Sequence, residues 1–173
     1  LNGASGNSGN ITVSASTFDY MIKQDNNESL GLSVTTGTPT IDVVAANRTF
    51  TIDATLTGTQ GFVKSGAGAL VITANSTITG NVTLSSGTLQ IGNNTARGSL
   101  TNVSNLLNNG SLVYARTDAW SATYNISGNG TLTKNSTGTL LLTGNNSYSG
   151  VTTVNAGTLQ FGTTGSLYGG NST

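Results

Sequence analysis

The 173-residue chain carries six Lys/Arg and six Asp/Glu, has no net charge, and contains neither cysteine nor histidine. Only 7% of its residues are charged, against about 25% in an ordinary globular chain, so it offers no electrostatic footprint for nucleic acid or an anionic membrane surface. Thiolate and imidazole metal sites, cysteine nucleophiles and histidine bases are excluded, and no apolar run reaches the ~18 residues that a membrane-crossing helix needs.

A chain without cysteine is compatible with export in an unfolded state. It begins without Met or a signal peptide and reads as an excerpt of something longer. Along residues 1–57, Ile11/Val13, Phe18/Tyr20/Ile22, Leu30/Leu32/Val34, Ile41/Val43 and Phe50/Ile52 alternate with period two. Such alternation turns one side of a strand inward. These are read as less regular early coils, with residues 24–28 as a surface turn.

Residues 58–92 alternate more strictly, at Leu70/Ile72, Val82/Leu84 and Leu89/Ile91, between turn formers at 66–68, 74–76 and 85–87. The same stretch recurs without a gap at 128–162, an offset of 70 that sets Lys64 on Lys134, Gly68 on Gly138, Leu70 on Leu140 and Gly80 on Gly150. Thirteen of 35 aligned positions are identical. Residues 93–127 lie between the copies as intervening coils.

Within this long repeat runs a finer one. Leu70 leads to Leu89, Phe62 to Val82, Val82 to Leu100, Leu112 to Leu132 and Leu140 to Leu159, each a step of about 20 residues, the length of one short coil in a stacked array. Two interleaved apolar columns advancing together in this way predict a parallel β-helix of two or three short strands per coil, each coil stacked on the last at about 4.8 Å. At that rate the chain makes roughly eight or nine coils, and the long echo spans three to four of them. An antiparallel sandwich also has strands about every 8–12 residues, but it supplies no reason for columns of constant step or a gapless echo. The fold class is therefore all-β, a single-stranded β-solenoid with almost no helix.

The stretches from Phe62 and Leu132 resemble the autotransporter-associated β-strand repeat, also called the passenger-associated transport repeat. Its pattern is Gly-Leu-x-Lys, then Gly-x-Gly-x-Leu-x-Leu, an Asn-x-Tyr-x-Gly turn and a closing Gly-x-Leu-x-Val/Ile/Phe-Gly. The second copy follows it through Tyr148 and Gly150; the first has Ile78 in place of the tyrosine, and the second has Ser136 where the family often has Gly. The resemblance implies a right-handed β-helix in the passenger of a type V secreted protein of Gram-negative bacteria, exported through a C-terminal outer-membrane translocator barrel of the full-length parent. It implies a stalk or adhesin segment at the cell surface or secreted, associated with virulence and without catalysis.

The alternative is a polysaccharide-binding or polysaccharide-cleaving β-helix of the tailspike or lyase kind, which needs clustered acids. The six acids Asp19, Asp25, Glu28, Asp42, Asp53 and Asp118 are scattered: Asp42 and Asp53, 11 residues apart, could at best approach across a coil edge, and Asp25 and Glu28 are read as sharing a solvated turn. No Gly-Gly-x-Gly-x-Asp calcium turn is present, residues 169–171 being a fragment of one. Thr-x-Thr pairs such as Thr49/Thr51, Thr55/Thr57, Thr77/Thr79 and Thr131/Thr133 do not fall on one column for an ice-binding plane. The Asn-x-Ser/Thr sites, among them Asn10, Asn47, Asn81, Asn125 and Asn135, are read as turn or ladder residues rather than glycan acceptors. Catalytic, cofactor and metal residues are expected to be absent. The candidate partner contact is the polar stretch at 116–120, with Arg116, Asp118 and Trp120, which has no clear apolar alternation and is read as a loop leaving the coil. Expected partners are a second copy of the chain, side by side through Asn/Thr surfaces or end to end through coil edges, or a host or matrix ligand.

Overall fold

A computed structural model describes residues 7–14, 18–23, 29–32 and 35–162. These form a right-handed parallel β-solenoid, and every strand pairing among them is parallel. The chain visits three sides in turn. Side one stacks Ile11–Val13, Thr40–Val43, Phe62–Ser65, the later half of Asn75–Leu84, the later half of Ser99–Asn108, and Asn125–Ser127.

Side two stacks Tyr20–Lys23, Thr49–Asp53, Ala69–Ile72, Thr88–Thr95, Ser111–Arg116, Thr131–Asn135 and Thr152–Val154. Side three is built from Asn7–Ser8, Ser29–Leu32 and Thr55–Thr57 at one end and Trp120–Ala122, Thr139–Leu142 and Thr158–Phe161 at the other. Between them the long strands Asn75–Leu84 and Ser99–Asn108 run around the corner from side three to side one. Gly80 makes that corner possible. Its φ is 95°, and a Cβ there would lie 2.7 Å from the Gly61 nitrogen.

Residue pairs on side two measure the coils. Tyr20, Phe50, Leu70, Leu89, Leu112, Leu132 and Thr152 are successive partners. From Tyr20 to Thr152 the chain makes six coils that average 22 residues rather than 20, so eight or nine coils for the whole chain is slightly too many. The first coil, from Tyr20 to Phe50, is the longest, and the fourth, from Leu89 to Leu112, is also enlarged, so a uniform short step overcounts. Most of the expected columns hold, with Phe62 on Val82, Leu70 on Leu89, Leu112 on Leu132 and Leu140 on Leu159. One fails, because Val82 pairs with Leu106, while Leu100 pairs with Ser76 around the corner. The surface turn expected at 24–28, like Val34 and residues 169–171, lies outside the described residues.

The interior is continuous. Ile52, Ile72, Ile91 and Tyr114 follow one another in one column, each at most 1% exposed. Phe62, Val82, Leu106 and Ile126 form another, all fully buried. Each such aliphatic side chain contributes about 1.5–3 kcal/mol by leaving water, and it does so only because the neighbouring coil covers it.

The pairings also relate the two copies. Phe62–Ser65 lies on side one but its counterpart Thr131–Asn135 lies on side two; Ala69–Ile72 lies on side two but Thr139–Leu142 on side three. The offset between the copies is thus three coils plus one further side. The second copy is the first rotated by a third of a turn about the solenoid axis.

Candidate functional site

Two sets of polar side chains are built into the solenoid, one repeated in both copies and the other lying between them. In the copies, Lys64 and Lys134 take the inward phase of their strands, two residues after Phe62 and Leu132, and are at most 1% exposed. Lys64 Nζ donates to the carbonyls of Ser65 at 2.5 Å, Gly66 at 3.0 Å and Ser86 at 3.3 Å. Lys134 Nζ donates to those of Asn135 at 2.6 Å, Ser136 at 2.7 Å and Ala156 at 3.4 Å. Each ammonium has three protons and each finds three acceptors, two in its own corner and one in the corner of the next coil. Burial lowers the Lys64 pKa to about 8, opposed in part by the nearby Asp42 carboxylate, and burial lowers that of Lys134 as well. These lysines are inter-coil ties rather than chemical groups open to a substrate.

The second set surrounds the enlarged fourth coil. Its extra residues form an outward bulge at 93–97, exposed throughout, and Arg116 holds that bulge from beneath. The Arg116 guanidinium donates to the carbonyls of Gly98 at 2.5 Å and Ala96 at 2.9 Å, and to Asp118 through Nε at 2.9 Å and Nη2 at 2.7 Å. The two-pronged pair fixes the guanidinium plane, and hydrogen bonding to Arg116 lowers the Asp118 pKa. Trp120 packs against the core with its ring centroid 5.7 Å from Tyr114 and 6.3 Å from Tyr124, and the Arg116 guanidinium carbon lies 5.7 Å from its centre. The Tyr114 and Tyr124 hydroxyls share a buried hydrogen bond of 2.9 Å.

The stretch at 116–120 therefore stays on the coil: Arg116 ends one strand, Trp120 begins the next, and only a short bend separates them. The three predicted contact residues are brought together, with Arg116 and Trp120 turned inward and Asp118 beside them at the surface. Arg116 is 7% exposed, while the Asp118 side chain remains 37% exposed. Alternation was a usable signal here, since Leu112, Tyr114 and Arg116, and then Trp120, Ala122, Tyr124 and Ile126, keep a period of two.

Asp42 and Asp53 project from different sides, the first accepting from Ser65 Oγ at 3.0 Å, the second from Thr73 Oγ1 at 2.9 Å and paired with Arg97 at 3.4 Å. Among the described residues no cluster of three or more acidic, His or Cys groups can hold a metal ion. No described helix is long and apolar enough to cross a membrane, which leaves β-barrels unaddressed. The ladder reading of the asparagines is visible in the structure. Asn105 Nδ2 donates to Asn81 Oδ1 at 3.1 Å, Asn125 Nδ2 to Asn105 Oδ1 at 3.0 Å, and Asn155 Nδ2 to Asn135 Oδ1 at 2.8 Å.

A three-sided solenoid with a lysine tie and a closing Gly-x-Leu strand in each copy is the class of protein these features define. Residues 62–91 and 132–161 match the passenger-associated transport repeat. The chain is also similar to the adhesin BmaC autotransporter of Brucella suis biovar 1 (strain 1330), with 41% identity over 105 residues covering 59% of this chain. It spans about 3% of the length of that relative. No solved structure matches the chain.

Proposed function

We propose that the chain is a stretch of stalk in the passenger of an autotransporter adhesin, exported through an outer-membrane translocator of its parent and held at the bacterial surface or released from it. The observation that carries this reading is the pair of transport repeats that keep their apolar columns and lysine tie although one is rotated by a third of a turn. Such a unit sets coil geometry rather than any one surface, as a spacer requires. In this reading the segment catalyses nothing, and the candidate contact region is the outward bulge, with Arg116 and Asp118 fixing it and Trp120 beneath it.

Antibodies raised against the 173-residue chain should label intact cells of the source bacterium or its culture fluid, and protease added outside should remove cell-bound label. Labelling that appears only after the outer membrane is opened would overturn the reading. Self-association through the Asn ladders belongs to the same proposal. It predicts a sedimentation coefficient that rises with concentration.

A further inference from the structure

The outward surface of side two is indented where the bulge rises beside it. A cleft of about 280 Å³ opens there between Met21, Lys23, Thr51, Asp53 and Thr73 on the stacked strands and the bulge residues that end in Arg97, just under the roughly 300 Å³ at which drug-sized ligand pockets begin and of a size for a single sugar unit. It crosses four coils, since Lys23 pairs with Asp53 and the Thr73 nitrogen donates to the Ile52 carbonyl in the coil before. Three observations make it more than a surface dent.

First, the chain is electrically neutral overall, yet the cleft is not. Among the described residues Lys64, Lys134 and Arg116 are buried and Arg48 is half-buried, so the exposed basic residues are Lys23 and Arg97. Both line this cleft, against the single carboxylate of Asp53. Second, the wall that carries Arg97 is fixed. Arg116 holds the carbonyls of Ala96 and Gly98, the Gly98 nitrogen donates to Asn75 Oδ1 at 3.1 Å, and the Arg97 nitrogen donates to Thr95 Oγ1 at 3.3 Å. Third, the Arg97–Asp53 pair has side chains 56% and 31% exposed, and exposed pairs of this kind add little to stability. Stability alone does not account for a guanidinium held over this surface.

We propose that this cleft binds a carboxylate-bearing sugar unit of an acidic glycan. Arg97 and Lys23 take the carboxylate, the guanidinium as a two-pronged donor and the ammonium as a point charge. Asp53 and the Thr51, Thr73, Thr95 and Asn93 side chains, all on the cleft wall, meet the ring hydroxyls, and Met21 supplies an apolar patch for the C–H face. An acidic peptide would satisfy the cations but brings no ring hydroxyls to match the hydroxyl and amide side chains of Thr51, Thr95 and Asn93. The proposal deepens the adhesive reading and rests on it. It is tested on the isolated chain, so its failure leaves surface display untouched.

The test titrates the 173-residue chain with sialyllactose, a hyaluronan tetrasaccharide, a carrageenan tetrasaccharide that carries sulfate but no carboxylate, neutral lactose and a short polyglutamate, following binding by NMR. Sialyllactose or the hyaluronan fragment should bind and lactose should not. Arg97→Gln and Lys23→Gln should each weaken binding about tenfold, or roughly 1.4 kcal/mol, with unchanged melting temperature, and added salt should weaken it further. Lactose binding as well as sialyllactose, polyglutamate or the carboxylate-free sulfated sugar binding while sialyllactose and the hyaluronan fragment both fail, neither carboxylated sugar binding at all, or folded variants that bind like the parent would each overturn the assignment.

Discussion

The two copies of the transport repeat solve one packing problem with different side chains. Around the first, the interior is mostly aliphatic, with Ile72, Ile78, Leu84 and Ile91 fully buried and Phe62 the aromatic among them. Around the second, Tyr114, Tyr124 and Tyr148, each at most 1% exposed, join the aliphatic Leu132, Leu140 and Leu142, and Trp120 packs against Tyr114 and Tyr124. What stays constant is the corner: Lys64 and Lys134 make the same three bonds to carbonyls at equivalent positions of the two copies. The rotation by one side explains the contrast. A repeat that lands on another side of the solenoid meets different neighbours, so its core residues vary while its corner, which is local, does not.

Removing the constant element should have the largest effect. Lys64→Ala leaves three turn carbonyls without their donor and a void in the column between Ile41 and Leu84, and should destabilise the chain by about 3 kcal/mol. Lys134→Ala should cost a similar amount, and the two should add, because the sites share no partner. Urea unfolding reads both; a loss under about 1 kcal/mol for either would show that the tie is dispensable.

The contrast between lysine corners and tyrosine interior also gives pH dependences of opposite sign. The folded-state pKa of Lys64 is lowered to about 8 by burial, so between about pH 8 and the ordinary lysine range of about 10.4 the unfolded chain binds more protons. Stability therefore rises with pH across that window, and the gain is lost as pH falls back towards 8. Tyr114, Tyr124 and Tyr148 act the other way. Burial raises their pKa values, so their contribution is complete below about pH 10 and is lost as pH climbs beyond it. Stability measured from about pH 7 to 11 should climb and then fall, with Lys64→Met removing part of the rise.

The aromatic interior can be broken more gently. Tyr114→Phe leaves the buried Tyr124 hydroxyl without its 2.9 Å partner and should cost about 1–2 kcal/mol. Replacing both tyrosines with Phe removes donor and acceptor together and should restore most of the loss. A double variant as unstable as the sum of the singles would mean that the hydroxyls have other essential partners.

Much of this contrast was legible in the chain itself. Period two and the constant step located the columns because inward Leu, Ile and Val recur where coils are equal in length. The step failed at Val82, where the enlarged fourth coil moved the true partner to Leu106 and another apolar residue, Leu100, stood near the expected spacing. The burial of Lys64 and Lys134 was hidden for a different reason: long basic side chains are mostly exposed, and the inward phase of a single lysine in an alternating strand is weak evidence against that tendency. The cleft had no sequence signature at all. Its walls come from residues 21 to 97, and only the stacking of four coils brings them onto one surface.

The smallest effect tests the corner itself. Gly66 and Ser136 are equivalent, and both are left-handed, with φ of 75° and 68°. At Gly66 a Cβ would lie 2.2 Å from the Val43 carbonyl oxygen, so no larger residue fits. Ser136 tolerates its Cβ because the second copy lies on another side of the solenoid and against a different coil. There its hydroxyl bonds to Asn94 in the bulge. A left-handed conformation costs a non-glycine residue roughly 1–2 kcal/mol, and the exposed hydroxyl returns only part of it. Ser136→Gly should therefore stabilise the chain by about 0.5 kcal/mol and raise the melting temperature by a degree or two. If it instead destabilises, the Asn94 bond outweighs the strain, and the bulge is anchored to the second repeat as firmly as Arg116 anchors it from below.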